Sequence, residues 1–135
     1  MKNLTLILVL LFSSKMIFAS FEINDNIERS YSCILNLEFD KANAILHKEK
    51  LQNPKNGFIA LHENYIDFLT IIISEDINYF HSHENLKNIR LDFLDECDIN
   101  SPYYLYAKAE VSLQWAFSRL KFEQYIIAAY EVVVA

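Results

Sequence analysis

The stretch LEFDKANAILHKEKLQNPKN, residues 37–56, has the pattern of a turn followed by one helix. Asp40 is expected to cap the start of this helix, because its carboxylate can accept hydrogen bonds from free backbone N–H groups. Pro54 is expected to end it, since a proline disfavours the α conformation in the residue before it. Apolar residues at three- and four-residue spacing predict another helix over residues 24–37. Together these signals predict an antiparallel helical hairpin.

The rest of the chain is also predicted to be helical. One glycine and two prolines are too few for an all-β fold, which needs turn residues about every 8 to 12 positions. Helical periodicity predicts a mostly buried helix over residues 58–72, and Ser74 is expected to cap the next one. Residues 76–97 fit either two short helices or one bent helix. Ser101 and Pro102 predict the start of a long helix over residues 103–122.

This long helix carries two apolar rows, which predicts that it packs on two sides, as a helix in a stacked array must. Its remaining side is interpreted as a polar, solvent-facing surface. The first apolar row consists of Leu105, Ala109, Leu113, Ala116 and Leu120, the second of Tyr104, Val111, Trp115 and Phe122, and the polar side of Glu110, Gln114, Ser118 and Lys121.

The first twenty residues have the three parts of a secretory signal: Lys2, the apolar run Leu4–Phe12 and the small residues Ala19 and Ser20. Cleavage after Ala19 would give a signal peptide over residues 1–19 and a mature domain over residues 20–135. The apolar run is shorter than the roughly 20 residues that a membrane span needs. The alternative is an uncleaved anchor, which would place a lysine in the hydrocarbon. We therefore expect an exported protein, in the periplasm, in the outer envelope or secreted.

Charge argues against a nucleic-acid partner. The chain has 12 basic and 18 acidic residues, and removal of residues 1–19 would take away two lysines and no acid. Nucleic-acid binding normally needs a basic patch that neutralises phosphates, and no such patch is present in the sequence.

The C-terminal segment QYIIAAYEVVVA, residues 124–135, contains neither a glycine nor a basic last turn that would end a helix. We interpret it as the interior of a longer helical array, or as the end of a gene fragment.

Cys33 and Cys97 are 64 positions apart. An oxidising compartment would permit a disulfide between them. The alternative is two small buried thiols on different helices, since free cysteine is among the most buried residue types.

The sequence offers no recognisable catalytic or metal-binding motif. His62 and Glu63 begin like the helix of a zinc protease, but Ile66 occupies the position of the second histidine. With Gly57 as the only glycine, neither a nucleophile elbow nor a phosphate-binding loop can form. We expect no enzymatic activity, no cofactor and no metal site. The acidic residues Asp92, Asp95, Glu96 and Asp98 are interpreted as a solvated helix face, with a calcium site or catalytic carboxylates as the alternative. The aromatic residues Trp115, Tyr103, Tyr104 and Tyr106 are expected to be core, with sugar or peptide stacking as the alternative.

The opening hairpin resembles a tetratricopeptide repeat, a helix-turn-helix unit of 34 residues. When Pro54 is set at the late proline of that family, Ala42 falls at the small position of the second helix and Leu46 at the large apolar position. Ser30 falls at the small position of the first helix. In this family, small residues at such positions let the two helices pack closely.

The C-terminal hairpin is similar in the same way, with Ala116 and Ala128 at the small positions and Tyr125 in the turn. The sequence departs from the family pattern at Glu49, where a small residue is usual, and at Cys33, where a tyrosine is common. The middle of the chain fits the pattern poorly.

The resemblance implies an all-α fold of stacked antiparallel helical hairpins, a tetratricopeptide-like α-solenoid, like that of exported bacterial proteins of this kind. It also implies a non-enzymatic scaffold that binds a protein partner on a surface lined by the first helix of each hairpin. Two alternatives stay open: a helical carrier for a lipid or other small apolar ligand, and a membrane-tethered accessory subunit.

Overall fold

The computed structural model describes residues 20–134. The described part is all-helical and contains no strand, as predicted; an isolated bridge joins Ser20 to Asn56. The proposed signal peptide, residues 1–19, lies outside the described residues. The helices are α1 (Asp25–Leu35), α2 (Phe39–Gln52), α3 (Gly57–Ser74), α4 (Ile77–His83), α5 (Leu86–Asp95), α6 (Pro102–Lys121) and α7 (Tyr125–Val134).

Two boundary signals act as the sequence predicts. The Ser101 hydroxyl accepts a hydrogen bond from the Tyr103 backbone N–H, and Pro102 is the first residue of α6. Asn53 is the C-cap of α2, directly before Pro54. The open question about residues 76–97 is resolved in favour of two short helices, α4 and α5.

Two predicted caps are wrong. The helix that follows the first turn begins at Phe39, so Asp40 lies inside its first turn and not at its N-cap. Ser74 is the last residue of α3, which ends at Glu75 in the left-handed conformation. The cap of α4 is Asp76, whose carboxylate accepts hydrogen bonds from two backbone N–H groups. In both places the observed N-cap lies two residues from the expected one, because a residue with positive φ, Leu37 or Glu75, makes the turn just before it.

The helices pack around two hydrophobic clusters. The hairpin α1–α2 packs against α3, α3 packs against α5 and α6, and α6 forms a second hairpin with α7. The smaller cluster lies between the first hairpin and α3. The larger one joins α1, α3, α4, α5 and α6, with Trp115 and Phe80 among its fully buried members.

The predicted faces of α6 are partly wrong. Gln114 and Ser118, assigned to the solvent-facing side, are buried, whereas Leu105 and Leu120 of the first apolar row are exposed. Gln114 can be buried because its amide oxygen accepts a hydrogen bond of 2.7 Å from Asn64 of α3. The second apolar row does face the core, through Val111 and Trp115.

The disulfide that the sequence would permit is not formed: Cys33 and Cys97 are both free thiols. Cys97 belongs to the larger cluster, whereas Cys33 packs at the edge of the smaller one. Burial raises the pKa of the Cys97 thiol to about 11, so it stays protonated at neutral pH.

Gly57, the first residue of α3, makes room for the N-terminal segment. A Cβ atom at this position would lie 2.6 Å from Cε1 of Phe21, whose ring packs edge-on against Phe58 with 5.3 Å between ring centroids. We therefore expect Gly57→Ala to lower the free energy of unfolding, measured in urea, by about 1 to 2 kcal/mol. In a Phe21→Ala background the same change should be neutral or stabilising, because alanine is the better helix former. Equal destabilisation in both backgrounds would contradict this explanation.

Candidate functional site

A cavity of about 190 Å³ lies between α1, α3 and α6. Its walls are mainly aromatic and aliphatic, and it carries one carboxylate. The lining residues are Ile23, Ile27, Glu28, Tyr31, Phe58, Leu61, His62, Tyr65 and Tyr106.

His62 is the buried polar group of this cavity, with 4% of its surface exposed. Its Nδ1 atom is 2.8 Å from the Ser30 hydroxyl, which donates its own hydrogen to the Ile27 carbonyl oxygen at 2.9 Å. Ser30 must therefore accept a hydrogen bond from the Nδ1–H of His62. This assignment leaves Nε2 as an acceptor without a hydrogen bond to any described residue.

The Ser30–His62 pair is not arranged for nucleophilic catalysis. A base must take the serine proton, but here the serine hydrogen points to a backbone carbonyl and the facing imidazole nitrogen carries a hydrogen of its own. The pair holds the imidazole ring in one tautomer, with Tyr31 stacked on it at 5.6 Å between centroids.

Two tyrosines close the side of the cavity next to α6. The Tyr65 hydroxyl donates a hydrogen bond to the Glu110 carboxylate at 2.9 Å and lies 3.2 Å from the Tyr106 hydroxyl. Burial, together with these two neighbours, raises the pKa of Tyr65, so its phenol is neutral at any physiological pH. Neither lysine nor arginine lines the cavity, and the nearby formal charges of Glu28 and Glu110 are negative.

His62 should make stability pH-dependent. Burial lowers the pKa of His62 to about 4, from an ordinary value near 6.5. As pH falls below 6.5 the unfolded chain binds a proton that the folded chain does not, so folding stability decreases until pH reaches about 4. Between pH 7.5 and 4.5 we expect urea unfolding to show a loss about 2 to 3 kcal/mol larger for the natural chain than for His62→Asn, which keeps a donor for Ser30. Equal losses would show that His62 is already charged in the folded state.

The residues predicted for repeat packing occupy different environments. Ser30, Ala42 and Leu46 are buried in the first hairpin, and Ala116 and Ala128 are buried where α6 meets α7. Pro54 and Tyr125 are exposed. Of the aromatic residues expected in the core, Trp115 is buried, whereas Tyr106 is half exposed and lines the cavity.

Glu49, a departure from the repeat pattern, is a buried polar centre that the sequence pattern did not predict. Its side chain is fully buried, and its carboxylate accepts hydrogen bonds from four asparagine amides. Burial alone would raise the pKa of Glu49, but these hydrogen bonds together lower it below its ordinary value. The donors are Asn24 at 2.8 Å, Asn26 at 2.9 Å, Asn53 at 3.0 Å and Asn56 at 3.0 Å.

The last helix exposes most of its apolar side chains. We call this surface the α7 face and define it by Tyr125, Ile126, Ile127, Tyr130, Val132 and Val133, whose exposed fractions range from 47% to 88%. The only charged residue of α7, Glu131, is buried in ion pairs of 2.9 Å with Lys87 and with Arg119. The α7 face therefore carries no charge.

Comparison with known proteins gives no relative: no family model, no curated protein and no solved structure matches the chain. The resemblance to tetratricopeptide repeats therefore stays a prediction from the sequence.

Metal-binding clusters and membrane-spanning helices are both absent from residues 20–134. No group of His, Cys, Asp and Glu side chains in this range is arranged to hold a metal ion. None of the helices in the same range combines the length and the apolar character that crossing a bilayer requires. The two surfaces that stand out are the aromatic cavity and the α7 face.

Proposed function

We propose that this chain is a non-enzymatic protein-interaction module that works in the cell envelope or in the extracellular space. The α7 face carries the proposal. Soluble monomers rarely expose a large contiguous apolar patch, and such patches commonly mark interaction sites. Here one ten-residue helix exposes six large apolar side chains and buries its only charge.

The partner that fits this face is a helical segment of another protein. Ile126, Tyr130 and Val133 follow one another at spacings of four and three, so they form a row along one side of α7. A row of this kind packs into the groove of a second helix. Within the described fold, α3 is covered by helices that follow it, whereas α7 packs mainly against α6 alone. An added helix would continue this packing.

The absence of charge on the α7 face restricts the partner further. Because the α7 face is uncharged, a partner gains nothing there from basic or acidic residues, and burying an unpaired charge costs several kcal/mol. The expected partner helix therefore presents an uncharged apolar row, with its polar residues at the rim.

The location outside the cytoplasm is supported by the signal-like pattern of residues 1–20. Protein isolated from the envelope or the medium of its native cells is expected to begin at Ser20 when its N-terminus is sequenced. A first residue of Met1 would support the membrane-tethered alternative.

A charge placed on the α7 face should prevent binding. Ile126 is 88% exposed, so Ile126→Glu should leave the free energy of unfolding within about 0.5 kcal/mol of the natural value. In a complex the new carboxylate would be buried without a partner, and we expect recovery of the partner with the tagged chain from native cells to fall at least about tenfold. The matched control is Leu51→Glu on α2, at a position 74% exposed, which should bind as the natural chain does.

Three results would contradict the proposal. One is equal recovery of the same partner with both glutamate variants. Another is a partner whose contacting segment is charged or not helical. The third is a purified chain that sediments as a dimer and becomes monomeric with Ile126→Glu, which would assign the face to a second copy.

The carrier hypothesis is favoured by one observation, the cavity between α1, α3 and α6. Its volume of about 190 Å³ is below the range of roughly 300 to 1,000 Å³ that is usual for drug-sized ligands, so it suits one small chemical group better than a whole lipid.

A further inference from the structure

From the cavity between α1, α3 and α6 we infer a second binding site, independent of the α7 face, that takes an alkylammonium group. The inference rests on three features of the lining: several aromatic rings, one carboxylate without a competing cation, and one hydrogen-bond acceptor.

The aromatic rings form a surface that attracts cations. Tyr31, Phe58, Tyr65 and Tyr106 line the space, and the centroids of Tyr31 and Tyr65 are 6.2 Å apart. The faces of aromatic rings carry negative electrostatic potential, and a cation within about 6 Å of a ring centroid is attracted to it.

The charges around the cavity favour a cation over a neutral or anionic group. Glu28 lines the space, and its carboxylate forms no hydrogen bond or ion pair with any described residue. Glu110 lies next to it, held by Tyr65 and by the Gln114 amide at 2.9 Å. His62 contributes no opposing charge, because it is neutral at physiological pH.

The free Nε2 atom of His62 selects a cation that has hydrogens to donate. The Nδ1–H of His62 is used by Ser30, so Nε2 can only accept. A protonated primary amine brings positive charge and N–H donors together, whereas a quaternary ammonium brings only the charge.

Calorimetric titration of the purified full chain with n-butylammonium at pH 7 tests this inference. Amines of this kind are protonated there, like the lysine side chain. We expect n-butylammonium to bind at least ten times more tightly than the neutral n-butanol, and butyrate not to bind. Binding of n-butanol with the same affinity, or no binding of n-butylammonium, would overturn the inference. Equal affinity for n-butyltrimethylammonium would overturn the role of His62.

Variants separate the cavity from other surfaces. Tyr31→Leu and Glu28→Gln are each expected to weaken n-butylammonium binding about three- to tenfold, while Tyr130→Leu on the α7 face should leave it unchanged. An equal effect of all three would place the bound amine elsewhere.

Titration with the amide of Nα-acetyl-lysine identifies the source of the alkylammonium group. Tighter binding than that of n-butylammonium indicates a lysine of a peptide, and weaker binding indicates a free amine. Ile126→Glu should not change any of these amine affinities. A failure of amine binding in the cavity can therefore be distinguished from a failure of partner binding at the α7 face.

Discussion

Replacing Arg90 by methionine is expected to lower the free energy of unfolding by about 3 to 5 kcal/mol. Arg90 is buried on α5, and its guanidinium binds two side chains of α3. Its Nη1 donates to the Asn64 side-chain oxygen at 2.9 Å, and its Nη2 donates to the Asp67 carboxylate. The same Asn64 oxygen accepts from the indole N–H of Trp115 at 2.8 Å. Removing the guanidinium leaves the Asp67 carboxylate buried without its ion-pair partner.

Urea unfolding monitored by circular dichroism measures this loss, and two variants serve as controls. Arg29→Met removes an exposed arginine whose partner Asp25 is also exposed, so it should cost no more than about 0.5 kcal/mol. The double variant Arg90→Met, Asp67→Leu removes both charges, and its cost should be smaller than the sum of the two single costs by at least about 1 kcal/mol. Additive costs would show that the two residues do not stabilise each other.

Replacing Glu49 by glutamine is expected to cost about 2 to 4 kcal/mol at pH 7. Hydrogen bonds to a charged acceptor are about twice as strong as those between neutral groups, and this carboxylate accepts four of them. A glutamine amide would also place an N–H₂ group against the N–H₂ group of one asparagine, in a fully buried site. These contacts connect residue 24, α2 and the turn before α3, so their loss should loosen the first hairpin.

The same urea experiment should be repeated at low pH. Because the folded-state pKa of Glu49 is lowered, its contribution is fully present above the unfolded-state pKa of about 4.5 and is lost as pH falls through the folded-state value. The difference between the natural chain and Glu49→Gln should therefore shrink on acidification. Glu96→Gln, at an exposed position, should change stability by less than about 0.5 kcal/mol at either pH. A pH-independent difference would contradict the ionised, asparagine-bound state of Glu49.

Local signals in the sequence predicted the helical class and several helix ends correctly. Ser101 and Pro102 begin a helix and Pro54 follows the end of one, as predicted. Such signals can be read from the sequence because capping and the conformational restriction by proline depend only on neighbouring residues. The caps predicted at Asp40 and Ser74 are each two residues from the observed N-caps, because Leu37 and Glu75 adopt the left-handed conformation. Neither residue is a glycine, so nothing in the sequence marked them as the residues that adopt a positive φ.

The buried polar groups could not be predicted, because their partners lie far away in the sequence. Gln114 was assigned to the solvent, yet it pairs with Asn64, fifty positions earlier. Glu49 lies in a helix that otherwise looks amphipathic, and only its four surrounding asparagines explain its burial. The abundance of asparagine around residues 24–26 and 53–56 was the available signal.

The α7 face and the cavity also differ in how far the sequence could predict them. The apolar character of residues 124–135 was evident from the sequence, although the exposure of the α7 face became clear only from the packing of α7 against α6. The cavity combines residues from Ile23 to Tyr106 on three helices. His62 attracted notice from the sequence only as part of an incomplete zinc motif, and its role depends on Ser30, thirty-two positions away.

The central claim is that the uncharged α7 face binds a helix of another protein. The most direct measurement is photo-crosslinking in native cells, with a photoreactive amino acid at position 126 or, as a control, at position 51, followed by mass-spectrometric mapping of the adducts. The claim predicts that position 126 crosslinks to one segment of a different protein, helical and uncharged along its contacting row, and that position 51 does not. Adducts at position 126 that contain only lipid or only this chain's own peptides, or no adducts there at all, would contradict it.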